Sequence, residues 1–282
     1  MLSLPAPAKV NLFLHITGRR SDGYHDLETL FQLLDFGDQL DFEVLPTEEI
    51  HLTSNIAGVD ANDNLVVRAA RSLQAKTGCT LGAKIVLNKV LPLGGGIGGG
   101  SSDAATTLLA LNHLWDLYLS DDELAEIGLE LGADIPVFTR GKTAFAQGVG
   151  ENLHPVEIPE QWFLVITPQV LVSTGKIFTH PELTRDSAPI RIPPLAVEGG
   201  RNDCQAVVEM LYPEVAETRN WMQQFAPAFM TGTGASLFSI FDNESQASEV
   251  AQQAPKAWNH FVAKGVNQSP AHQILGSITS DE

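Results

Sequence analysis

The sequence has few cysteines, few basic residues and no long apolar run. Its two cysteines, Cys79 and Cys204, lie far apart and match no metal-binding or redox spacing, so a reducing, cytoplasmic location is expected. No apolar run approaches the length of a membrane span. The N-terminus also has neither the basic segment nor the long apolar core of a secretory signal, so we expect no membrane partner.

Basic side chains are outnumbered by acidic ones. The chain has 17 Lys and Arg against 34 Asp and Glu, which gives a formal net charge of -17. Nucleic-acid binding depends on basic surface, so this balance argues against a nucleic-acid partner. The length of 282 residues and a hydrophobic content of 44% are typical of one large or two ordinary globular domains.

Glycine is concentrated in residues 94–100, where six of seven positions lack a β-carbon. Residues 84–91 before them predict a buried strand, and a helical pattern follows, with Ser101, Ser102 and Asp103 as N-cap candidates. A glycine turn that leads into a helix N-terminus favours bound anions, because free N–H groups and the helix dipole point the same way. The segment therefore predicts a phosphate-binding loop rather than a flexible linker.

Two common glycine-loop chemistries fit this segment poorly. A P-loop requires a lysine followed by Ser or Thr after its last glycine, and two serines stand there instead. The dinucleotide fingerprint fits Gly94, Gly96 and Gly99 by spacing. That fingerprint belongs in the first βα turn of a doubly wound domain, whereas this segment lies a third of the way along the chain.

The surrounding pattern mixes strands and helices without strict alternation, which predicts an α+β fold. Strands are predicted over residues 9–16, 27–34 and 39–44, with a hairpin at Gly37-Asp38 between the last two. Asp63 or Asn64 is expected to cap a helix that stops at Gly78. Ser120-Asp121-Asp122-Glu123 predicts a capping box.

The glycine-rich segment resembles the phosphate loop of the GHMP kinase superfamily, a group of small-molecule kinases. The residues that carry this resemblance are Pro92, Leu93, Gly94, Gly95, Gly96, Ile97, Gly98, Gly99, Gly100, Ser101 and Ser102. Further motifs resemble, in order, one branch of that superfamily over nearly the whole chain. They are Pro7-Ala8-Lys9-Val10-Asn11-Leu12, Asp22-Gly23-Tyr24-His25, Asp63-Asn64-Leu65, Leu131-Gly132-Ala133-Asp134-Ile135-Pro136, Gly232-Thr233-Gly234-Ala235 and Lys264-Gly265-Val266-Asn267.

The resemblance implies a two-domain GHMP kinase architecture with the site between the domains. Residues 1–156 would form an N-terminal domain like ribosomal protein S5 domain 2, carrying the ATP phosphate loop, and residues 157–282 a ferredoxin-like C-terminal domain. The implied reaction uses ATP and Mg²⁺. It transfers phosphate directly to the 2-hydroxyl of 4-diphosphocytidyl-2-C-methyl-D-erythritol, in the methylerythritol phosphate route to isoprenoid precursors. The metal ligands and the oligomeric state, monomer or homodimer, stay open.

The same resemblance implies roles for residues around the acceptor. Lys9 falls on the catalytic lysine and Asp134 on the catalytic acid-base, which we expect to lie on either side of the acceptor hydroxyl. Asn11 would lie near the sugar-like end of the substrate. Tyr24 would stack on the cytosine ring and His25 would hydrogen-bond to it.

The remaining implied contacts are less closely matched. Phe178 aligns with a second aromatic wall, and Thr174 lies nearby. Asn64 and Lys89 resemble contacts on the nucleotide side, although Asn64 serves equally well as a helix cap.

Two further features complete the sequence-based picture. The residues Gly232, Thr233 and Gly234 resemble a second glycine loop that packs against the active site. Asp103 departs from close relatives, which often carry Asn or Ala there. We expect it to face away from the nucleotide, with magnesium binding as the alternative.

Two rival functions follow from the same motifs. Another GHMP kinase would act on homoserine, mevalonate or a sugar, but Tyr24 and His25 argue against it. A non-catalytic nucleotide-binding module would bind ATP without transferring phosphate. The presence of both Lys9 and Asp134 argues against that module.

Overall fold

The computed structural model describes residues 1–55, 63–190 and 200–280. Its strands, in chain order, are β1 Leu2–Arg19, β2 His25–Leu45, β3 Ile50–Ser54, β4 Gly82–Asn88, β5 Ala144–Gly148, β6 Asn152–Pro155, β7 Trp162–Thr167, β8 Ala228–Met230, β9 Leu237–Phe241 and β10 Asn259–Val266. Its helices are α1 Leu65–Thr77, α2 Gly99–Leu114, α3 Asp121–Leu129, α4 Ile135–Arg140, α5 Thr174–Thr179, α6 Gln205–Leu211, α7 Pro213–Met222, α8 Glu244–Ala251 and α9 Pro270–Ser280.

The strands form one mixed sheet whose main path is β3-β4-β2-β10-β7-β9-β8. Strands β1 and β5 also pair with β2, and β6 pairs with β5. Most pairs are antiparallel, and β3 with β4 is parallel. Because antiparallel pairs dominate and the helices do not alternate with parallel strands, the predicted α+β class is confirmed.

The predicted hairpin at Gly37-Asp38 is wrong, because β2 runs through it as one strand of 21 residues. Gly37 pairs with Pro7 of β1, and a β-carbon on Gly37 would lie 2.0 Å from the carbonyl oxygen of Ala6. The glycine is therefore needed for a close approach of two strands. Asp38 is buried, and its carboxylate accepts hydrogen bonds from other segments of the chain.

Three hydrophobic cores hold the described elements together. One lies between helices α1–α3 and strands β1–β4 and includes Leu73 and Leu108. A second lies among β7–β9 and helices α5–α7. The third joins both regions, since it contains Val10 and Leu34 from β1 and β2 together with Val165 and Phe238 from β7 and β9. The strand that carries Lys9 is thus fixed by packing from both regions.

The ends of helices α1 and α3 agree with the capping residues predicted from the sequence. Asn64 caps α1 by accepting the Val66 N–H at 2.9 Å, and Gly78 ends the helix with a left-handed φ of 70°. The capping box of Ser120 and Glu123 is also confirmed.

The predicted caps of α2 are wrong, since the helix starts at Gly99 with Gly98 at the N-cap position. The serine pair and Asp103 therefore lie within the helix rather than before it. Glycine at the cap leaves the first N–H groups without a side-chain acceptor.

The C-terminal strand β10 pairs with strand β2 of the N-terminal region. Strand β10 lies between β2 and β7, pairing Gly265 with Leu34 and Lys264 with Trp162. The division of the chain at residues 156 and 157 stays a prediction. None of the described helices is both long and apolar enough to cross a bilayer.

Replacing Leu73 by Ala should lower the free energy of unfolding by about 2–5 kcal/mol, because this side chain is fully buried and its loss leaves a cavity. Leu129→Ala is the matched control, since Leu129 is also helical but 39% exposed. Its loss should stay below about 1 kcal/mol. Urea denaturation measures both, and equal losses would contradict the assigned core.

Candidate active site

The phosphate loop is shaped by left-handed glycines. Gly94, Gly96 and Gly98 have φ values of 68°, 73° and 76°. A β-carbon on Gly96 would lie 2.6 Å from the carbonyl oxygen of Thr231, and one on Gly98 would lie 2.7 Å from the Phe138 ring. The loop thus has glycine where the backbone or its neighbours leave no room for a side chain. It leads into a 16-residue helix whose N-terminus carries no side-chain cap, which suits an anionic phosphate.

Lys9 and Asp134 meet beside this loop. The Lys9 ammonium is 2.9 Å from the carbonyl oxygen of Gly96, 2.6 Å from Asn11 Oδ1 and 3.3 Å from Asp134 Oδ2. Only 2% of the lysine side chain is exposed, against 38% for the aspartate. The site therefore presents an accessible carboxylate beside a buried cation.

Asn11 is held in one orientation. Its side-chain amide donates to Thr29 Oγ1 at 2.8 Å, and the Thr29 hydroxyl donates to the carbonyl oxygen of Phe13. The Asn11 backbone N–H donates to Thr231 Oγ1 at 2.8 Å. Since its NH₂ group faces Thr29, the Asn11 carbonyl oxygen must face Lys9.

The second glycine loop contacts the first. The Ser236 N–H donates to the carbonyl oxygen of Gly95, and Thr231 Oγ1 donates to that of Gly96. Gly232 has a φ of 57°, and a β-carbon there would be 3.0 Å from the Gly96 carbonyl oxygen. The two loops therefore form one hydrogen-bonded wall of the site.

A cleft of about 300 Å³ lies in front of the pair formed by Lys9 and Asp134. Thr174 and Thr233 line it and share a 2.8 Å hydrogen bond between their hydroxyls. Its other lining residues are Asn11, Leu14, Leu27, Thr29, Phe31, Gly94, Gly96, Ala133, Val149, Gly150, Val172, Phe178, Gly232 and Gly234.

The aromatic residues lie at the edge of this cleft. Tyr24 is exposed and lines a second pocket of about 410 Å³, which shares Ala133 and Val149 with the cleft. His25 is buried and stacks on Phe178, with ring centroids 5.1 Å apart. Burial, aided by the charges of nearby arginines, lowers the pKa of His25 and keeps its ring neutral at neutral pH.

The two residues predicted on the nucleotide side have other partners. Asn64 uses its side-chain oxygen to cap α1. The Lys89 ammonium is buried between the carboxylates of Asp38 and Asp103, with Asp103 Oδ2 at 2.8 Å. A β-carbon on Gly99 would lie 3.0 Å from Lys89 Nζ, so the lysine lies against the first turn of α2.

Asp38 and Asp103 connect three segments through Lys89. Asp38 Oδ1 accepts the backbone N–H groups of Val90 and Leu91, at 2.6 and 2.8 Å. Burial raises the pKa of Asp103 to about 7, with the Lys89 ammonium opposing the rise and the Asp38 carboxylate adding to it. Asp103 thus faces the protein interior. The described residues contain no group of three or more His, Cys, Asp or Glu that could hold a metal ion.

Three further residues support the site and escaped the sequence analysis. Asp38 looks like part of a turn signal in the sequence. Asn202 donates to the carbonyl oxygens of Met230 and Gly232, which fixes the second glycine loop. Arg185 donates to His25. Each acts across more than 20 residues of sequence, so no local pattern reveals it.

Asp103→Asn should change how stability depends on pH. The folded-state pKa of about 7 exceeds the unfolded value of 3.8, so the wild type gains stability by proton uptake as pH falls from about 8 to about 4. The variant lacks this gain. Its stability relative to the wild type should therefore drop by about 3–4 kcal/mol over that range, since each unit of pKa difference corresponds to about 1.4 kcal/mol.

Urea denaturation at several pH values measures this difference. Asp122→Asn is the control, since that carboxylate is 78% exposed. A constant difference between Asp103→Asn and the wild type would contradict the raised pKa of this buried carboxyl group.

Comparison with known proteins shows which families this chain is similar to. Residues 64–142 match the GHMP kinases N terminal domain, and residues 187–260 match the GHMP kinases C terminal family. A solved structure described as 4-(cytidine 5'-diphospho)-2C-methyl-D-erythritol kinase is 31% identical with a TM-score of 0.82, covering 94% of this chain and 99% of that one. A homoserine kinase structure from Cytophaga hutchinsonii, 17% identical with a TM-score of 0.64, covers 95% of this chain and 96% of its own and shares the fold.

Curated relatives are closer in sequence. The 4-diphosphocytidyl-2-C-methyl-D-erythritol kinase of Pseudomonas paraeruginosa is 57% identical over 277 residues, covering 98% of each chain. The protein of the same name from Ectopseudomonas mendocina is 58% identical over 277 residues, covering 98% of this chain and 95% of its own. The chain therefore belongs to the 4-diphosphocytidyl-2-C-methyl-D-erythritol kinase family, within the GHMP kinases.

Proposed function

We propose that this kinase uses ATP and Mg²⁺ to phosphorylate the 2-hydroxyl of 4-diphosphocytidyl-2-C-methyl-D-erythritol, a step toward isoprenoid precursors. The observation that carries the proposal is the contact of Lys9 with both Asp134 and the Gly96 carbonyl oxygen of the phosphate loop. This contact supports the pairing of a base and a cation next to the loop that would hold a phosphate. The names of the closely related proteins supply the substrate.

Asp134 is the residue proposed to activate the acceptor. Its carboxylate is accessible from the cleft, so it can accept a hydrogen bond from the acceptor hydroxyl and take up its proton. Lys9 holds that carboxylate in place and stabilises negative charge near the developing bond. Asn11 orients Lys9 through its side-chain oxygen.

The phosphate loop and the first turn of α2 are proposed to hold the phosphates of ATP. Their backbone N–H groups and the helix dipole would attract the anion. ATP supplies the transferred phosphoryl group, and Mg²⁺ would be held by its phosphate oxygens together with water molecules, as is usual for that ion. Asn64 and Lys89 stay predictions as nucleotide contacts, and Lys89 also fixes the position of α2 through its ion pairs.

The aromatic residues are proposed to bind the cytosine ring. Tyr24 is free to stack on a flat ring, and Phe178 provides an apolar face in the cleft. His25 adds a directional polar group beside Phe178. Thr174 lies within the same cleft and stays a predicted substrate contact. A cytoplasmic location likewise stays a prediction.

Asp134→Asn should reduce kcat by about 100-fold or more, because the amide cannot accept the hydroxyl proton. Lys9→Met, which keeps the buried volume, should reduce kcat to a similar extent because it removes the charge. Asp122→Asn changes an exposed aspartate outside the cleft and serves as the control. Steady-state kinetics with both substrates measures these effects, and a near-wild-type kcat for Asp134→Asn would refute its role.

A coupled ADP-release assay with a panel of acceptors should show turnover with 4-diphosphocytidyl-2-C-methyl-D-erythritol. Free methylerythritol phosphate, homoserine and mevalonate should give little or none, because they offer no ring to Tyr24, His25 and Phe178. Turnover of mevalonate or homoserine alone would favour the rival kinase. ATP binding without acceptor-dependent ADP release would favour a non-catalytic module.

A further inference from the structure

Arg185 uses its guanidinium group to hold both sides of the aromatic contact. Its Nε donates to Nε2 of His25 at 3.1 Å. Its Nη2 donates to the carbonyl oxygens of Phe178 and His180 at 2.9 and 2.8 Å, and its Nη1 donates to that of Leu183 at 3.0 Å. The arginine therefore fixes the backbone of Phe178 and one nitrogen of the ring that stacks on it.

This contact decides where the His25 proton lies. A guanidinium group has donors only and keeps its proton at any ordinary pH. The His25 nitrogen that faces Arg185 must therefore carry a lone pair. In the neutral ring the proton is then on Nδ1, so His25 has a donor at Nδ1 and no freedom to exchange donor and acceptor.

The charges around His25 favour the neutral ring. Arg185 and Arg19 oppose a second proton, burial opposes it more strongly, and Asp26 is the nearby group that favours it. Since the ring stacks on Phe178, its plane is fixed as well as its proton. A ring held in this way is a directional hydrogen-bond donor.

We infer that Arg185 is a positioning residue that sets the base preference of the acceptor site by fixing His25 as a donor at Nδ1. The inference rests on the proposed function, in which His25 hydrogen-bonds to the base. Cytosine has an unprotonated ring nitrogen at N3 that accepts from such a donor, whereas N3 of uracil carries a proton. The Arg185 contact therefore selects cytosine over uracil through His25.

Substitution of Arg185 separates this role from a purely structural one. In Arg185→Gln, the new side-chain oxygen can accept a hydrogen bond from an Nε2–H group, so the His25 proton can lie on Nε2 and leave an acceptor at Nδ1. Arg185→Lys keeps a group that only donates and should preserve the wild-type proton position. Arg219→Gln is the control, because Arg219 pairs with Glu209 elsewhere in the C-terminal region.

The first measurement is the nitrogen NMR spectrum of His25 in the free protein, with histidine-selective labelling. The wild type and Arg185→Lys should show a neutral ring protonated at Nδ1, and Arg185→Gln should show a mixture of both neutral forms. A wild-type ring protonated at Nε2 would overturn the inference. This result does not depend on any kinase activity.

The second measurement is calorimetric binding of cytidine and uridine 5'-diphosphate, with a non-hydrolysable ATP analogue occupying the phosphate loop. The wild type should prefer the cytidine compound by about tenfold or more, as expected for one mispaired hydrogen bond. Arg185→Lys and Arg219→Gln should keep that ratio within about threefold, and Arg185→Gln should bring it close to about one.

Three results would lead to different conclusions about the role of Arg185 and about the proposed function. An unchanged preference in Arg185→Gln overturns the inference, even when the wild type phosphorylates the proposed substrate. Failure of the wild type to bind either nucleoside diphosphate also overturns it. If the wild type shows no ADP release with 4-diphosphocytidyl-2-C-methyl-D-erythritol, the proposed function is refuted. The NMR and binding results then still decide the role of Arg185.

Discussion

The buried ammonium of Lys9 is the interaction on which the rest of the site depends. A charge with 2% exposure is costly unless its donors are all paired, and Lys9 has three N–H groups. Asn11, the Gly96 carbonyl oxygen and Asp134 provide three acceptors. They come from strand β1, the phosphate loop and the residue just before α4. Burial of one cation thus requires three separate segments to meet at one point.

A second buried lysine, Lys89, lies against the first turn of α2 and has different partners. Lys89 has two carboxylate partners, Asp38 and Asp103, both buried. Its charge is largely neutralised within the protein, so it stabilises the junction of strand, loop and helix. Lys9 has one carboxylate partner, and that group faces the cleft. The two buried lysines therefore differ in role, since Lys89 joins structural elements and Lys9 supports a carboxylate that faces the cleft.

Patterns of neighbouring residues in the sequence predict a large part of this structure. The glycine loop, the Asn64 cap, the capping box at Ser120 and the strand that carries Lys9 each depend on a few adjacent residues. The meeting of Lys9 with Asp134 followed from family resemblance and could not follow from spacing, since 125 positions separate them.

The wrongly predicted hairpin, and the contact that was not predicted, depend on residues that are distant in the sequence. Gly37 and Asp38 have the composition of a turn, but the need for close approach to the Ala6 carbonyl oxygen and the buried contacts of Asp38 keep β2 continuous. The predicted caps of α2 fail because glycine at 98 lets the helix begin earlier. Arg185 reaches His25 across 160 residues, and nothing near either residue in the sequence indicates the contact.

The position of β10 has a consequence for the order in which the protein assembles. This strand lies between β2 and β7, so it joins the part of the sheet that carries Lys9 to the part that carries the second glycine loop. It is also the last strand along the described chain to leave the ribosome. During synthesis, the two loops therefore acquire their final spacing only after residues 259–266 have been added.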